Sequence, residues 1–367
     1  MKQTGDHTCF RIKGIVHGMA CAERSILAAT TIGVHELTAF ATNSSSKLAL
    51  HCVGKIPDVV QSLTLHPTRP FYAVGGTLGE IAFYPTSIHN RSVTVEDSNP
   101  LSPVELAEPL RRLRKELGSN HRINKIRFTA SGTMLGTADR AGNFSLWYPE
   151  ASPLSSNGAI SAPIVNSQVH SKQVSDFLFL DDAGLTATAG VHKSGPGVDL
   201  PNLSIWDWSL PPHKGSVLSF GRKELFAEGA SSLAFSPARR WLAAAGRAGT
   251  LSIFDIRNPH RVYSTHVHDN NIRSLAIHPA SERLLVSGSS DGSVMVFELP
   301  SMKPVACWLN VHPRSSFVSP PNSTGIFPSA LSTIGTTDVG FYSDFILSCG
   351  SDGRIDSRRI YQSLPDI

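Results

Sequence analysis

LLVSGSSDGSVMVFE, residues 284–298, decides the fold. An apolar run, a polar turn ending in Asp-Gly, and a second apolar run closing on an aromatic residue make a strand–turn–strand unit. Asp-Gly suits a tight hairpin, because Gly accepts positive φ and the Asp side chain can bond backbone two residues on. The unit recurs as WLAAAGRAGTLSIFD at 241–255, MLGTADRAGNFSLWY at 134–148 and FYAVGGTLGEIAFY at 71–84. A more worn copy is FILSCGSDGRIDSRR at 345–359. Self-similarity at roughly 40–60 residues, with short strands throughout, predicts an all-β array of four-stranded sheets closed into a β-propeller.

Working outward, each unit is preceded by an innermost strand. These are IRSLAIHP (272–279, blade six), SSLAFSP (231–237, five), QVSDFLFL (173–180, four), RINKIRF (122–128, three) and DVVQSLTLHP (58–67, two). Blade one occupies 14–53, with KLALHCV as its outer strand, and blade seven starts near SALSTIG (329–335). About seven blades thus fill a single domain over 8–361, with insertions at about 85–120, 149–168 and 311–328. After blade seven only IYQSLPDI remains, too little for a fourth strand. TCFRIKG (8–14) is therefore predicted to close the ring by pairing near 354–359, since an open ring exposes two sheet edges. In the first insertion, Ser102-Pro103-x-Glu105 predicts a helix start that Pro109 interrupts. The other two, rich in Ser, Pro and Asn, read as mobile surface loops.

Composition agrees with an all-β chain. Charged residues make up 17% and apolar ones 41%, with 29 Gly and 24 Pro. A net charge of +4 is too mild to mark a nucleic-acid binder. The five cysteines are spread without a C-x-x-C pair, which argues against a disulfide framework or zinc knuckle and for a reducing compartment. No apolar run reaches 18 residues and MKQTGDHTCFRIKG lacks a signal-peptide core, so a soluble intracellular chain without a transmembrane segment is expected.

LSIWDW (203–208) holds a literal Trp-Asp pair, and the chain resembles a WD-repeat (WD40-type) protein. VVQSLTLHPTRPFYAVGG, RINKIRFTASGTMLGTADRAGNFSLW, SDFLFLDDAGLTATAG and LSCGSDGR are together similar to the C-terminal propeller of the DmX-like (rabconnectin) family, in the same order over residues 10–360. The resemblance implies a non-enzymatic scaffold, without cofactor, that regulates vacuolar proton-pump (V-ATPase) assembly and organelle acidification. It also implies protein partners (pump subunits or assembly factors) and a cytoplasmic location, with peripheral placement on vesicle, endosomal or vacuolar membranes through those partners. Family members carry a further propeller and a long helical region upstream that are absent here, so contacts made by those parts are not carried over.

Several signals point to other chemistry. Gly288-x-Ser290-x-Gly292 matches the hydrolase elbow formally, but that elbow needs a helix next and SVMVFEL reads as strand. His266, His268 and Asp269 could supply three ligands of a zinc site, the basis of a metal-dependent hydrolase reading. His121 and His170 fall at equivalent places in other blades, which favours a packing role. Phe254-Asp255-Ile256-Arg257 resembles the W-D-x-R box that docks some propellers onto cullin-based ubiquitin ligases, the rival functional reading; the plain alternative is a strand end. Arg111–Lys115 is the densest basic run and reads as a solvated loop or edge strand. The loops 190–202 and 311–328 should share one face, which nominates His192, Lys193, Arg314 and Phe317 as partner-binding residues.

Overall fold

A computed structural model describes residues 7–12, 14–22, 25–41, 48–56, 60–86, 104–105, 110–114, 118–149, 162–192, 201–210, 216–219, 226, 228–313 and 335–360. Seven antiparallel sheets form the blades of a propeller. Their inner strands are Val16–Ala22, Val60–Leu65, Ile123–Phe128, Gln173–Phe179, Ala230–Ser236, Ile272–Ile277 and Thr336–Tyr342. Each touches the next, and the last touches the first.

The ring closes as the sequence predicts. His7–Arg11 runs antiparallel to Arg354–Arg359, with His7 opposite Arg358 and Arg11 opposite Arg354. The Thr8 and Ser357 hydroxyls lie 2.7 Å apart, and the Ile12 N–H donates to the Gly353 carbonyl at 2.7 Å. Blade seven thus joins both ends of the chain and leaves no open edge in the ring.

Two local expectations are sharpened and two need correction. The described inner strand of blade seven is Thr336–Tyr342, directly after SALSTIG, whose residues 329–334 lie outside the described ones. Three buried polar residues, Thr336, Thr337 and Asp338, disguise that strand, and each of them finds a hydrogen-bond partner. Of the two readings of the basic run the edge strand holds: Arg111–Arg114 is blade two's outer strand, paired with Ile81–Pro85. Strand alternation buries Leu113 completely while Arg112 stays exposed. Instead of entering a helix, Val104–Glu105 adds to blade one in parallel, opposite Gly54–Lys55, where the outer strand offers unpaired backbone groups. The second insertion ends as strand, since Val165–Gln168 forms blade three's outer edge.

The core lies between blades. Leu203 and Ile205 of blade four pack on Leu233, Leu242 and Phe254 of blade five, and comparable clusters fill the other junctions. The largest wholly buried side chains include Tyr72, Tyr84, Phe144, Phe177 and Phe254. Each such burial contributes roughly 1.5–3 kcal/mol, which makes the disc stiff. Among the described residues, no helix is long and apolar enough to cross a membrane.

Candidate functional site at the channel mouth

Near the head of every inner strand the pairing register skips one residue. The skipped residues are His17, Gln61 and Asn124 in blades one to three, and Ser175 and Ser231 in blades four and five. Arg273 and Thr337 take the place in blades six and seven. A bulge re-aims the extra side chain. All seven line one cavity of about 140 Å³, which therefore lies where the inner strands converge.

The flanking residues explain why the bulge is stable. The residue before it is always fully buried, as with Val16, Val60, Ile123 and Ile272. In five blades the residue after it, Ser62, Asp176, Ser232, Ser274 or Asp338, reaches the next blade. Ser62 Oγ accepts from the Ile126 N–H at 3.2 Å, Asp176 Oδ2 from Leu233 at 2.9 Å, Ser232 Oγ from Leu275 at 3.1 Å and Asp338 Oδ2 from Met19 at 2.8 Å. Bulge side chains add donors to the neighbouring backbone. Asn124 Nδ2 bonds the Val174 carbonyl at 2.7 Å, and Thr337 Oγ1 bonds that of Val16 at 2.6 Å. One level of the ring is thus stitched blade to blade by polar side chains.

The same level is electropositive. Arg122, just before blade three's inner strand, and Arg247, in a blade-five turn, join Arg273, Lys125 and His17 around the cavity. Burial pulls the Arg273 guanidinium below its ordinary value, and Arg247 and Arg122 add repulsion. Arg273 is nonetheless exposed, because the channel crowds it with protein while leaving it open to solvent. Burial, then Arg122 and Arg273, lower the His17 imidazole to about 4, so it is neutral at pH 7. The two acids at the cavity are already committed. Burial alone would raise the Asp176 carboxyl, yet Arg127 at 3.1 Å, Lys125 and the Leu233 N–H hold it below the usual value. Asp338 accepts from Met19, Ser274 and Val339. Among the described residues, Arg122 Nε, Arg247 Nε and Asn271 Oδ1 are buried without a hydrogen-bond partner. Such groups are uncommon in a folded protein.

Turns and linkers meet on this face through one repeated backbone bond. It runs from Thr31 to Ile15, Arg140 to Arg122, Arg247 to Gly229, Ser290 to Asn271 and Ser351 to Gly335, at 2.9–3.1 Å. The described roots of the two loops nominated from sequence stand here. His192 follows Val191, which pairs with Gln173 at the head of blade four. Its Nε2 lies 3.0 Å from His170 Nδ1, and the Ser171 N–H donates to its Nδ1 at 3.2 Å, so its ring anchors the loop root. Lys193, Arg314 and Phe317 lie outside the described residues.

The histidine cluster does not assemble. His268 is buried and bonded through Nε2 to Ser287 at 2.7 Å and through Nδ1 to Ser293 at 2.8 Å, while His266 and Asp269 are exposed. The strand ends at His266, and the linker beyond it turns His268 inward to its serine partners. Among the described residues no three potential ligands come together for a metal. His170 bonds Thr188, which also accepts from Trp206 Nε1 at 2.9 Å; His312 bonds Ser348 and Asp352. Ser290 sits in a turn between two strands, so the elbow geometry is absent. Phe254 is buried, and Arg257 folds back on Asp255 at 2.8 Å while remaining 63% exposed, as at an ordinary strand end.

Sequence reasoning missed the channel site. Its signal is an apolar–polar–polar–apolar tetrad heading five of the inner strands, Val60-Gln-Ser-Leu63, Ile123-Asn-Lys-Ile126, Val174-Ser-Asp-Phe177, Ala230-Ser-Ser-Leu233 and Ile272-Arg-Ser-Leu275, with Val16-His-Gly-Met19 a variant that carries Gly at the third place.

The WD domain, G-beta repeat family matches residues 224–255 and 258–298, which are blade five and most of blade six. DmX-like protein 1 of Mus musculus is 28% identical over 299 residues, covering 82% of this chain and 9% of that protein. DmX-like protein 1 of Homo sapiens is 26% identical over 306 residues, covering 83% and 9%. The chain therefore spans about a tenth of the length of these curated relatives. The WD40 beta propeller domain of Doa1 superposes with a TM-score of 0.67 over 97% of both chains at 12% identity, a likeness of fold alone. Blade count and ring closure make the chain a seven-bladed β-propeller with WD repeats, and over four-fifths of its length it is homologous to DmX-like protein 1.

Proposed function

We propose that the chain is a non-enzymatic protein-interaction scaffold that supports assembly of the vacuolar proton pump, and through it organelle acidification. Homology to DmX-like protein 1 over 82% of the chain carries this reading. The stiff disc adds physical support, because loops held on a rigid frame bind with less ordering cost. The partner surface is the channel-mouth face, reached through the loops rooted at Val191–His192 and Val311–Pro313, with His192, Lys193, Arg314 and Phe317 as its nominated residues. Association with vesicle, endosomal or vacuolar membranes is then peripheral and runs through the partners.

Affinity purification of the tagged chain from native cells, followed by identification of co-purifying proteins, tests this directly. Pump subunits or assembly factors are expected. Cullin adaptors in their place, lost on Arg257→Ala, would replace this reading with that of a ubiquitin-ligase receptor. Joint replacement of Arg314 and Phe317 is expected to weaken capture without lowering the melting temperature; undiminished capture would move the partner surface elsewhere.

A further inference from the structure

We propose that the channel mouth is a binding site for a small, multiply phosphorylated anion. Three guanidinium groups, Arg122, Arg247 and Arg273, come from blades three, five and six to one cavity of about 140 Å³. A water needs only about 10–15 Å³ by the same kind of measure, so a polyatomic ligand fits. Its polar lining excludes an apolar occupant, and the carboxylates that would neutralise the arginines are held by other donors. Arg122 and Arg247 each keep a buried Nε without an acceptor among the described residues.

The spread of these groups selects the ligand class. A guanidinium fork matches two phosphate oxygens, and burial strengthens such bonds. One carboxylate would meet one arginine; several phosphates on a compact frame would meet all three, with Lys125 at the rim. Binding would also relieve the mutual repulsion of the arginines. The cationic cluster thus has a purpose that the scaffold role does not require, and it stands independently of the proton-pump reading.

The decisive measurement is titration calorimetry on the full chain at about 150 mM salt, where exposed charges are screened. The probes are inositol hexakisphosphate and pyrophosphate, with citrate as the carboxylate control. Inositol hexakisphosphate is expected to bind and to raise the melting temperature, with citrate far weaker. Arg273→Gln should weaken binding about tenfold or more, the scale of one charge-assisted bidentate contact. It should leave the ligand-free melting temperature unchanged or higher, because the residue adds only repulsion. A structural arginine would behave oppositely, and Arg247→Gln gives a second, separate reading. Absence of phosphate binding, wild-type affinity retained by both variants, or citrate or an acidic peptide binding as tightly would overturn the proposal. Cosedimentation with phosphatidylinositol bisphosphate vesicles, against phosphatidylcholine alone, separates the two sources. Capture of those vesicles with a matching loss in Arg273→Gln identifies a lipid headgroup; a response to soluble probes alone identifies a free metabolite. Both uphold phosphate recognition.

Discussion

The two ends of the inner strands are built on opposite principles. At the end remote from the channel mouth, polar groups are satisfied. His66 Nδ1 accepts from the Thr68 and Arg69 N–H groups at 3.2 and 3.0 Å, and His278 Nδ1 from Ser281 at 3.1 Å. Carboxylates there cap a neighbouring blade's turn, Asp182 at Ser131 and Glu282 at Ala238. At the mouth, by contrast, cations crowd together with buried donors unused. One end closes hairpins; the other stores repulsion that a stability-driven sequence would shed. Only a stiff frame can hold like charges so close.

Breaking the mouth itself should have the largest effect. Gly249 has φ +82°, and a Cβ there would fall 1.8 Å from the His268 carbonyl oxygen. Gly249→Ala is expected to cost about 3 kcal/mol or more in urea unfolding, since both backbone conformation and space forbid the methyl group. An unchanged midpoint would mean that turn and linker are not locked together.

Next comes the stitching level. Asp176→Ala strips an acceptor from Leu233 and Ser232 and a partner from Arg127, with an expected loss of about 3 kcal/mol. The folded-state carboxyl is depressed, so its contribution is present above the ordinary carboxylate range and fades as pH falls below about 4. The variant should therefore lose less stability than wild type on acidification in that window.

A cut at the opposite end should be milder. Glu282→Ala removes one partly exposed cap and should cost about 1 kcal/mol, without altering anion binding at the mouth. A change in anion affinity would show that the two ends are coupled.

The subtlest effect belongs to His17. Its folded value of about 4 lies below the ordinary 6.5, so the folded chain takes up its proton later than the unfolded chain does. Stability is full above pH 6.5 and falls as pH drops toward 4. His17→Gln should flatten that decline in melting temperature while leaving the value at pH 7.5 nearly unchanged. An identical pH profile would place His17 in free contact with water.

Legibility followed the same division. Local chemistry could be read from the chain. Asp291-Gly292 and Asp352-Gly353 form the expected turns, with Gly φ of 87° and 74° and each Asp accepting from the residue two places on. The closing strand followed from counting strands. Elements that rest on long-range satisfaction were hidden. Thr336-Thr337-Asp338 looks too polar for a core strand until Val16, Met19 and Ser274 supply its partners. Arg122, Arg247 and Arg273 are far apart in sequence and meet only because three blades aim their strand heads at one axis. No local pattern carries that convergence.

The pairing of His7 with Arg358 has a mechanical consequence. Both ends of the propeller leave from the same rung of one ladder, about 5 Å apart. Tension between flanking segments would therefore peel blade seven open one hydrogen bond at a time, like a zip. The ring would yield to modest force along that line while resisting compression from every other direction.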